Sequence, residues 1–270
     1  MLYKPIIAQY FGIWSGGGWE LKFRNDTPFN KLNRLYVAFG KIVQINGHFS
    51  IDFDGSLDHI QDIRNRMQQV NPNAEIILVV GGDGSAPSYG GAASDSEFAT
   101  NVRDFLIQNG FNGLDVDWET NLDRANLSLL LTNLSLVFKP ANLKLTLDVW
   151  PWMTGAYDIG VFNKTLDQIN IMTYGTGLDL DDSVMQFRNA GLSYSKMIGG
   201  IITERDFNQF GGTVDTLGTT GTINQKSTYA KRKKLAGMMA WRLDNDYSSI
   251  DNPDYPTYQG ALALWNYMNS

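Results

Sequence analysis

The sequence predicts a single-domain (β/α)8 barrel over residues 1–270. Three observations predict it. Eight short apolar stretches alternate with segments of helical periodicity. One α/β barrel fits a chain of 270 residues, and no composition shift, linker or short repeat divides it. The rival arrangement, an open doubly wound sheet, calls for a nucleotide-binding fingerprint at its first turn, and the glycines from Gly12 to Gly18 do not follow that spacing.

The elements follow in order. Ile6 to Phe11 forms the first strand and runs into a Gly-rich loop, Ser15 to Gly18, flanked by Trp14 and Trp19. Arg34 to Phe39 is the second strand. From Ser56 to Val70, the residues Ile60, Ile63, Met67 and Val70 share one helix face. Glu75 to Val80 is the third strand, and Gly81-Gly82-Asp83-Gly84 turns out of it. Ser94 and Glu97 read as a capping box ahead of a helix with Phe98, Val102, Phe105 and Leu106 on one face. Gly113 to Trp118 is the fourth strand. Asp123 to Phe138 is Leu-rich and helical, stopped near Pro140. Leu143 to Val149 is the fifth strand and ends in Trp150-Pro151-Trp152. Gln168 to Tyr174 is the sixth, and Asp181 to Ala190 is a helix stopped by Gly191. Lys196 to Ile202 is the seventh strand, Lys226 to Leu235 a helix, Gly237 to Trp241 the eighth strand, and Thr257 to Met268 the closing helix.

Composition removes several function classes. A net charge of -6 argues against a nucleic-acid surface. The one basic run, Lys231 to Lys234, ends a helix, where cations suit the dipole. With no cysteine there is neither disulfide nor thiolate chemistry. No apolar run is long enough to span a membrane. Met1 to Pro5 lead straight into a strand with no signal-peptide hydrophobic region, so a secreted, extracellular protein is expected only if a leader has been removed. His48 and His59 are expected at the surface, and the chain is expected to be a monomer.

Chemistry concentrates in Gly113-Leu114-Asp115-Val116-Asp117-Trp118-Glu119. Strand side chains alternate faces, so Asp115, Asp117 and Glu119 point the same way, about 7 Å apart. Three like charges in line are costly unless a proton or a cation is bound. The stretch is therefore a catalytic acid site or an oxygen-ligand metal site for Mg²⁺ or Ca²⁺. The active site of a barrel lies at the C-terminal ends of its strands. The candidates there are Tyr10, Trp14, Phe39, Asp83, Asp117, Glu119, Trp150, Tyr174, Glu204, Trp241 and Asp244. That set is aromatic and acidic, which suits an uncharged ring such as a sugar and does not suit a phosphate ester. Trp14 and Trp19, on a Gly-rich loop, are candidates for sugar stacking. Trp150 and Trp152 divide evenly between packing and a subsite. Glu204 and Asp244 read more readily as ion-pair partners than as catalysts. Glu119, at the mouth, could reach a glycosidic oxygen as a general acid. A retaining glycosidase with an enzyme nucleophile needs a second carboxylate about 5–5.5 Å away across the bond. Asp117, two residues earlier on the same strand, is better placed to hydrogen-bond Glu119. The substrate's own 2-acetamido carbonyl could then be the nucleophile, with Asp117 orienting it and Asp115 sharing a proton with Asp117.

The stretch Asn112-Gly113-Leu114-Asp115-Val116-Asp117-Trp118-Glu119 resembles the Asp-x-x-Asp-x-Asp-x-Glu signature of glycoside hydrolase family 18, the chitinases and their relatives. The resemblance covers nearly the whole chain. Tyr10-Phe11-x-x-Trp14, Ala38-Phe39, Gly81-Gly82, Met172-Thr173-Tyr174 and Gly237 to Asp244 resemble the family's first, second, third, sixth and eighth strands in the right order. It implies Glu119 as acid and then base, Asp117 as the acetamido-orienting residue, Tyr174 as donor to the acetamido oxygen, and Trp241 as the floor of the central sugar subsite. The expected catalytic set is Glu119, Asp117, Asp115 and Tyr174. The expected substrate-binding set is Tyr10, Trp14, Phe39, Met172, Trp241, Trp150 and Glu204. The implied partner is chitin or another N-acetylglucosamine-containing oligosaccharide, with no metal or other cofactor.

Four positions depart from the family pattern. Asn112 stands for the first acid and, on the opposite parity from Asp115, is expected to be structural. Val79 stands for a serine and removes a polar neighbour of Asp115. Gly175 follows Tyr174 where an acid or amide is common. Thr120-Asn121 replaces a Tyr-Pro continuation after Glu119. The implied activity is an endo-chitinase. Alternatives are an endo-β-N-acetylglucosaminidase or a peptidoglycan or spore-cortex hydrolase of the same family, and a non-enzymatic sugar-binding lectin. The compact connection from the seventh to the eighth strand leaves little room for the α+β insertion of larger members.

Overall fold

The computed structural model describes residues 3–14, 18–53, 56–82, 88–205, 213–252 and 254–270; Asp83, loop residues 15–17, residues 211–212 and Met1 lie outside them. Nine strands form one sheet: β1 (Ile6–Gly12), β2 (Arg34–Ile45), β3 (His48–Phe53), β4 (Glu75–Gly81), β5 (Gly113–Asp117), β6 (Lys144–Val149), β7 (Gln168–Ile171), β8 (Met197–Ile202) and β9 (Gly237–Trp241). The order is β1-β9-β8-β7-β6-β5-β4-β2-β3, and β1 also pairs with β2. Eight strands thus close into a parallel barrel, with β3 as an antiparallel flap on β2. The described helices are α1 (Trp19–Lys22), α2 (Leu57–Val70), α3 (Tyr89–Ser94), α4 (Phe98–Asn109), α5 (Arg124–Phe138), α6 (Ile159–Thr165), α7 (Leu180–Asn189), α8 (Thr222–Lys233) and α9 (Gln259–Asn269).

Alternation along the strands builds two separate apolar layers. Tyr10, Tyr36, Ile77, Val79, Met172 and Met239 fill the barrel interior. The other parity, such as Leu114 and Val116, packs outward against the helices. α5 shows how a helix joins that outer layer: Leu127, Leu130, Leu131, Leu134 and Phe138 recur at helical spacing and are all buried. Burial of each such side chain is worth roughly 1.5–3 kcal/mol. Asp123 caps α5, its side chain accepting from the Asn126 N–H.

Three local features differ from what the sequence predicts. The second strand is longer than expected and folds back: Asn46 and Gly47, with φ of 53° and 87°, make the two-residue turn into β3. The helix of Phe98 has no Ser94–Glu97 capping box. Ser94 donates to the Gly90 carbonyl inside α3, and Asp95 accepts from the Glu97 N–H at 2.9 Å instead. His59 is half-buried: it stacks on Trp19 with ring centroids 3.8 Å apart and hydrogen-bonds the Ile13 carbonyl, while Trp19 donates to Asp62.

Two backbone devices shape the mouth. Pairing of β2 with β4 slips at Phe39, a bulge that turns this ring toward Trp14 and Trp241. The peptide bonds Ala38-Phe39 and Trp241-Arg242 are cis. Gly81 leaves β4 with φ of 126°, and a Cβ there would stand 2.0 Å from the Asp117 carbonyl. Only glycine lets the end of β4 lie against the end of β5 in this way.

Candidate active site

β5 places the acids as its parity requires. Asp115 and Asp117 are buried at 0% and 4% exposure, Glu119 is half-buried just beyond the strand, and Trp118 turns outward to stack on Tyr89 at 4.6 Å. The Trp118 indole donates to the Thr120 carbonyl at 2.8 Å, fixing the turn that follows. Asn112 is structural, as its parity indicated: its side-chain oxygen accepts from the Ile76 N–H at 2.7 Å and locks β4 against β5.

Asp115 sits between Val79 of β4 and Thr146 of β6 in register. Thr146 donates to it, where Val79 cannot. Asn170 on β7 donates to it at 3.2 Å, and Tyr10 Oη lies 2.9 Å away. The structure adds a carboxylate absent from the sequence reading. Asp148 on β6, 4% exposed, stands 2.6 Å from the same Tyr10 oxygen. Burial and the charges of Asp115 and Asp117 push Asp148 well above the ordinary carboxylate range, and burial pushes Asp115 up as well.

Tyr174 follows β7 and is 7% exposed, with its hydroxyl beside Met239 in the barrel interior and Met172 in the same cluster. Burial, then the charges of Asp148, Asp117 and Glu119, hold its phenol well above its ordinary range, so it is a proton donor at any working pH. Gly175 contributes its backbone: its N–H reaches Asp215 and its carbonyl accepts from Lys226.

One aromatic surface covers the opposite side of the mouth. Trp14, 49% exposed, stacks with Phe39 at 5.6 Å and Trp241 at 6.2 Å, and Tyr10 meets Trp241 at 5.5 Å. Glu204 is a brace for this surface: it accepts from the Trp241 indole at 2.7 Å and from Arg242 and Asn245 at 2.9 Å. Burial raises its carboxyl, but Arg242 and these hydrogen bonds outweigh that and hold it below the usual range. Asp244 pairs with the other side of Arg242 and accepts from the Gly12 N–H. Arg242 in turn lies 4.7 Å from the Trp14 ring. Trp150 donates from its indole to the Glu119 carbonyl at 3.1 Å and stacks on Trp152, which is 45% exposed.

The structure thus gathers the described candidates, Trp19 excepted, at one end of the barrel and separates their positions. Asp115 and Asp117 lie inside; Glu119, Trp14, Trp150 and Trp241 lie at the rim; Glu204 and Asp244 stand behind the rim. Trp19 leaves the set for the outer helix layer. Among the described residues, no group of three or more His, Asp or Glu is arranged to hold a metal ion, and no helix is long and apolar enough to cross a membrane.

The family model described as glycosyl hydrolases family 18 matches residues 6–196. Endochitinase 1 of Metarhizium robertsii is 23% identical over 253 residues, covering 73% of this chain and 59% of that protein. Among solved structures, a mutant class V chitinase from Nicotiana tobaccum in complex with NAG4 superposes with a TM-score of 0.77 at 17% identity, over 99% of each chain. The chitinase-like agglutinin of Robinia pseudoacacia superposes at 0.74 and 17%, over 97% of this chain and 99% of that one. At these identities the structures speak for the fold. The chain spans between 6% and 59% of the length of the curated relatives it matches.

Proposed function

The chain belongs to the glycosyl hydrolases of family 18, and we propose that it is an endo-acting hydrolase of β-1,4-linked N-acetylglucosamine polymers, working outside the cell by a retaining, substrate-assisted mechanism. The observation that carries the reading is the ordered stack Asp115, Asp117, Glu119, which rises from the barrel interior to a rim faced by Trp14, Phe39 and Trp241. A sugar ring resting on Trp241 brings its glycosidic oxygen to Glu119, which protonates the leaving oxygen. The 2-acetamido carbonyl oxygen attacks C1 as that bond breaks. Asp117 holds the acetamido N–H and balances the positive charge that develops, and Tyr174 donates to the acetamido oxygen. Glu119, now ionised, takes a proton from a water that attacks C1 and displaces the acetamido oxygen, which reverts to its amide, so the product keeps the β configuration.

Glu119→Gln keeps the shape and removes the acid. Hydrolysis of soluble chitin oligomers should fall by about 10²–10⁴-fold, with oligosaccharide binding retained and the wild-type product appearing first as the β anomer by NMR. Wild-type turnover in Glu119→Gln would sink the role given to Glu119. Equal cleavage of fully deacetylated chitosan would sink substrate assistance. A high-mannose glycoprotein assayed in parallel separates chitinase from endo-β-N-acetylglucosaminidase. The likeness to an agglutinin supports a second reading, a sugar-binding lectin on the same barrel; binding without hydrolysis in the wild type would favour it.

A further inference from the structure

A chain of hydrogen bonds beneath Asp117 has its direction set from one end. Arg34, which can only donate, gives Nη1 to Tyr36 Oη at 3.1 Å. The Tyr36 hydroxyl, which also meets Thr146, donates to Asn170 Oδ1, 3.2 Å away. That fixes the Asn170 amide, whose Nδ2 donates to Tyr10 Oη at 2.9 Å and to Asp115 Oδ1 at 3.2 Å. Tyr10 Oη now has one lone pair filled and a single hydrogen to give, yet it stands 2.9 Å from Asp115 Oδ2 and 2.6 Å from Asp148 Oδ1. One hydrogen cannot serve both oxygens. The second contact is a hydrogen bond only if a carboxyl supplies its own proton.

The donors decide which carboxyl. Asp115 receives Thr146 and Asn170 on one oxygen and lies within reach of Tyr10 on the other, the surroundings of an ionised carboxylate. Asp148 faces the charges of Asp115 and Asp117 on β5, with the phenols of Tyr10, Tyr89, Tyr157 and Tyr174 around it. Arg34 reaches Asp115 from below and is itself paired with Glu75 at 2.6 Å. We propose that Asp148 is a positioning residue that holds one proton and shares it with Asp115, both directly and through Tyr10, so that the floor beneath Asp117 carries one negative charge instead of two. A second negative charge so close would make Asp117 and Glu119 harder to ionise together, and the proton on Asp148 prevents it. The proton count stands on the hydrogen bonds alone; its effect on turnover rests on the glycosidase reading.

The test is isotope-edited infrared spectroscopy of substrate-free protein with ¹³C-labelled aspartate. A carboxylic-acid band should persist through neutral pH in the wild type and be lost in Asp148→Asn, whose amide can donate to Tyr10 in the same way. Asp246, pushed up to about 7 by burial, supplies a second band that disappears above that pH and that Asp148→Asn leaves in place. A wild type with no acid band other than the one from Asp246, or an Asp148→Asn protein whose bands match the wild type, overturns the proposal. The pH profile gives a second readout. An ionised Asp148 would make its replacement pull both limbs acidward by about one unit or more, whereas a neutral Asp148 leaves the limbs in position. Glu119→Gln, run alongside, tests the glycosidase reading without touching the proton count.

Discussion

The ammonium of Lys226 stands 2.7 Å from the carboxylate of Asp215, and both are buried. Lys226 donates to the carbonyls of Thr173 at 2.5 Å and Gly175 at 2.9 Å, the residues on either side of Tyr174. Asp215 accepts from the N–H groups of Gly175 at 2.8 Å and Ile202 at 2.9 Å. The pair ties the segment carrying Tyr174 to β8 and α8. Removing Lys226 alone strands a buried charge, which typically costs about 3–5 kcal/mol. Lys226→Met should lower the urea-unfolding free energy by that order, and adding Asp215→Asn should restore part of it. Single and double variants of equal stability would contradict the pairing.

Glu204 gives a pH dependence with a definite sign. Its folded ionisation lies below its ordinary value of 4.5, because Arg242 and three hydrogen-bond donors outweigh burial. Its contribution to stability is therefore complete above 4.5 and is lost as the pH falls through the lower folded value. Trp241 fluorescence and oligosaccharide affinity should change together in that acid window, since the protonated carboxyl loosens its hold on the indole. Glu204→Gln should abolish the acid step and cost about 1.5–3 kcal/mol, the loss of one charge-assisted hydrogen bond. An acid step of the same size in Glu204→Gln would assign it elsewhere.

The acid stack is managed by protons and donors: Tyr10, Thr146 and Asn170 around Asp115, and the shared proton of Asp148. Hydrolysis is accordingly expected to survive dialysis against EDTA. Loss of activity with EDTA and its return with Mg²⁺ or Ca²⁺ would restore the oxygen-ligand metal reading.

The barrel was legible because its strands are buried on both sides and its helices are periodic on one. Ile60, Ile63 and Met67 lie where the spacing put them. Asp115, Asp117 and Glu119 were legible because charge inside an apolar strand has no cheap explanation. The same logic applies to Asp148, which shares parity with Thr146 in an apolar strand, but a single carboxylate there carries less signal than three in line. Lys226 and Asp215 could not be read at all: each looks like an ordinary surface residue until the fold brings α8 under Gly175. The turn into β3 was signalled by Asn46-Gly47, but the slip in pairing at Phe39 and the glycine after it make the strand appear to end there.

The last prediction concerns the wall of the groove. β8 ends at Ile202 and α8 begins at Thr222. From Ile202 to the start of β9 at Gly237, loop and α8 together, the connection is roughly the length of an ordinary loop-plus-helix unit, which leaves little for the α+β insertion that forms one wall of a deep cleft in larger members of the family. Asp215 within it is bound to Lys226, and Glu204 makes a bridge to Asp246, so its described ends fold back onto the barrel. With that wall missing, the groove should be shallow and open at both ends, and a polymer should bind anywhere along its length and leave after each cut. Soluble and amorphous chitin are then better substrates than crystalline chitin, and cleavage is endo with low processivity. Early products from soluble chitin should be a spread of oligomer lengths when separated by chromatography. A stream of almost pure disaccharide from the first minutes would mean a closed, processive or exo-acting site, and would overturn the open groove.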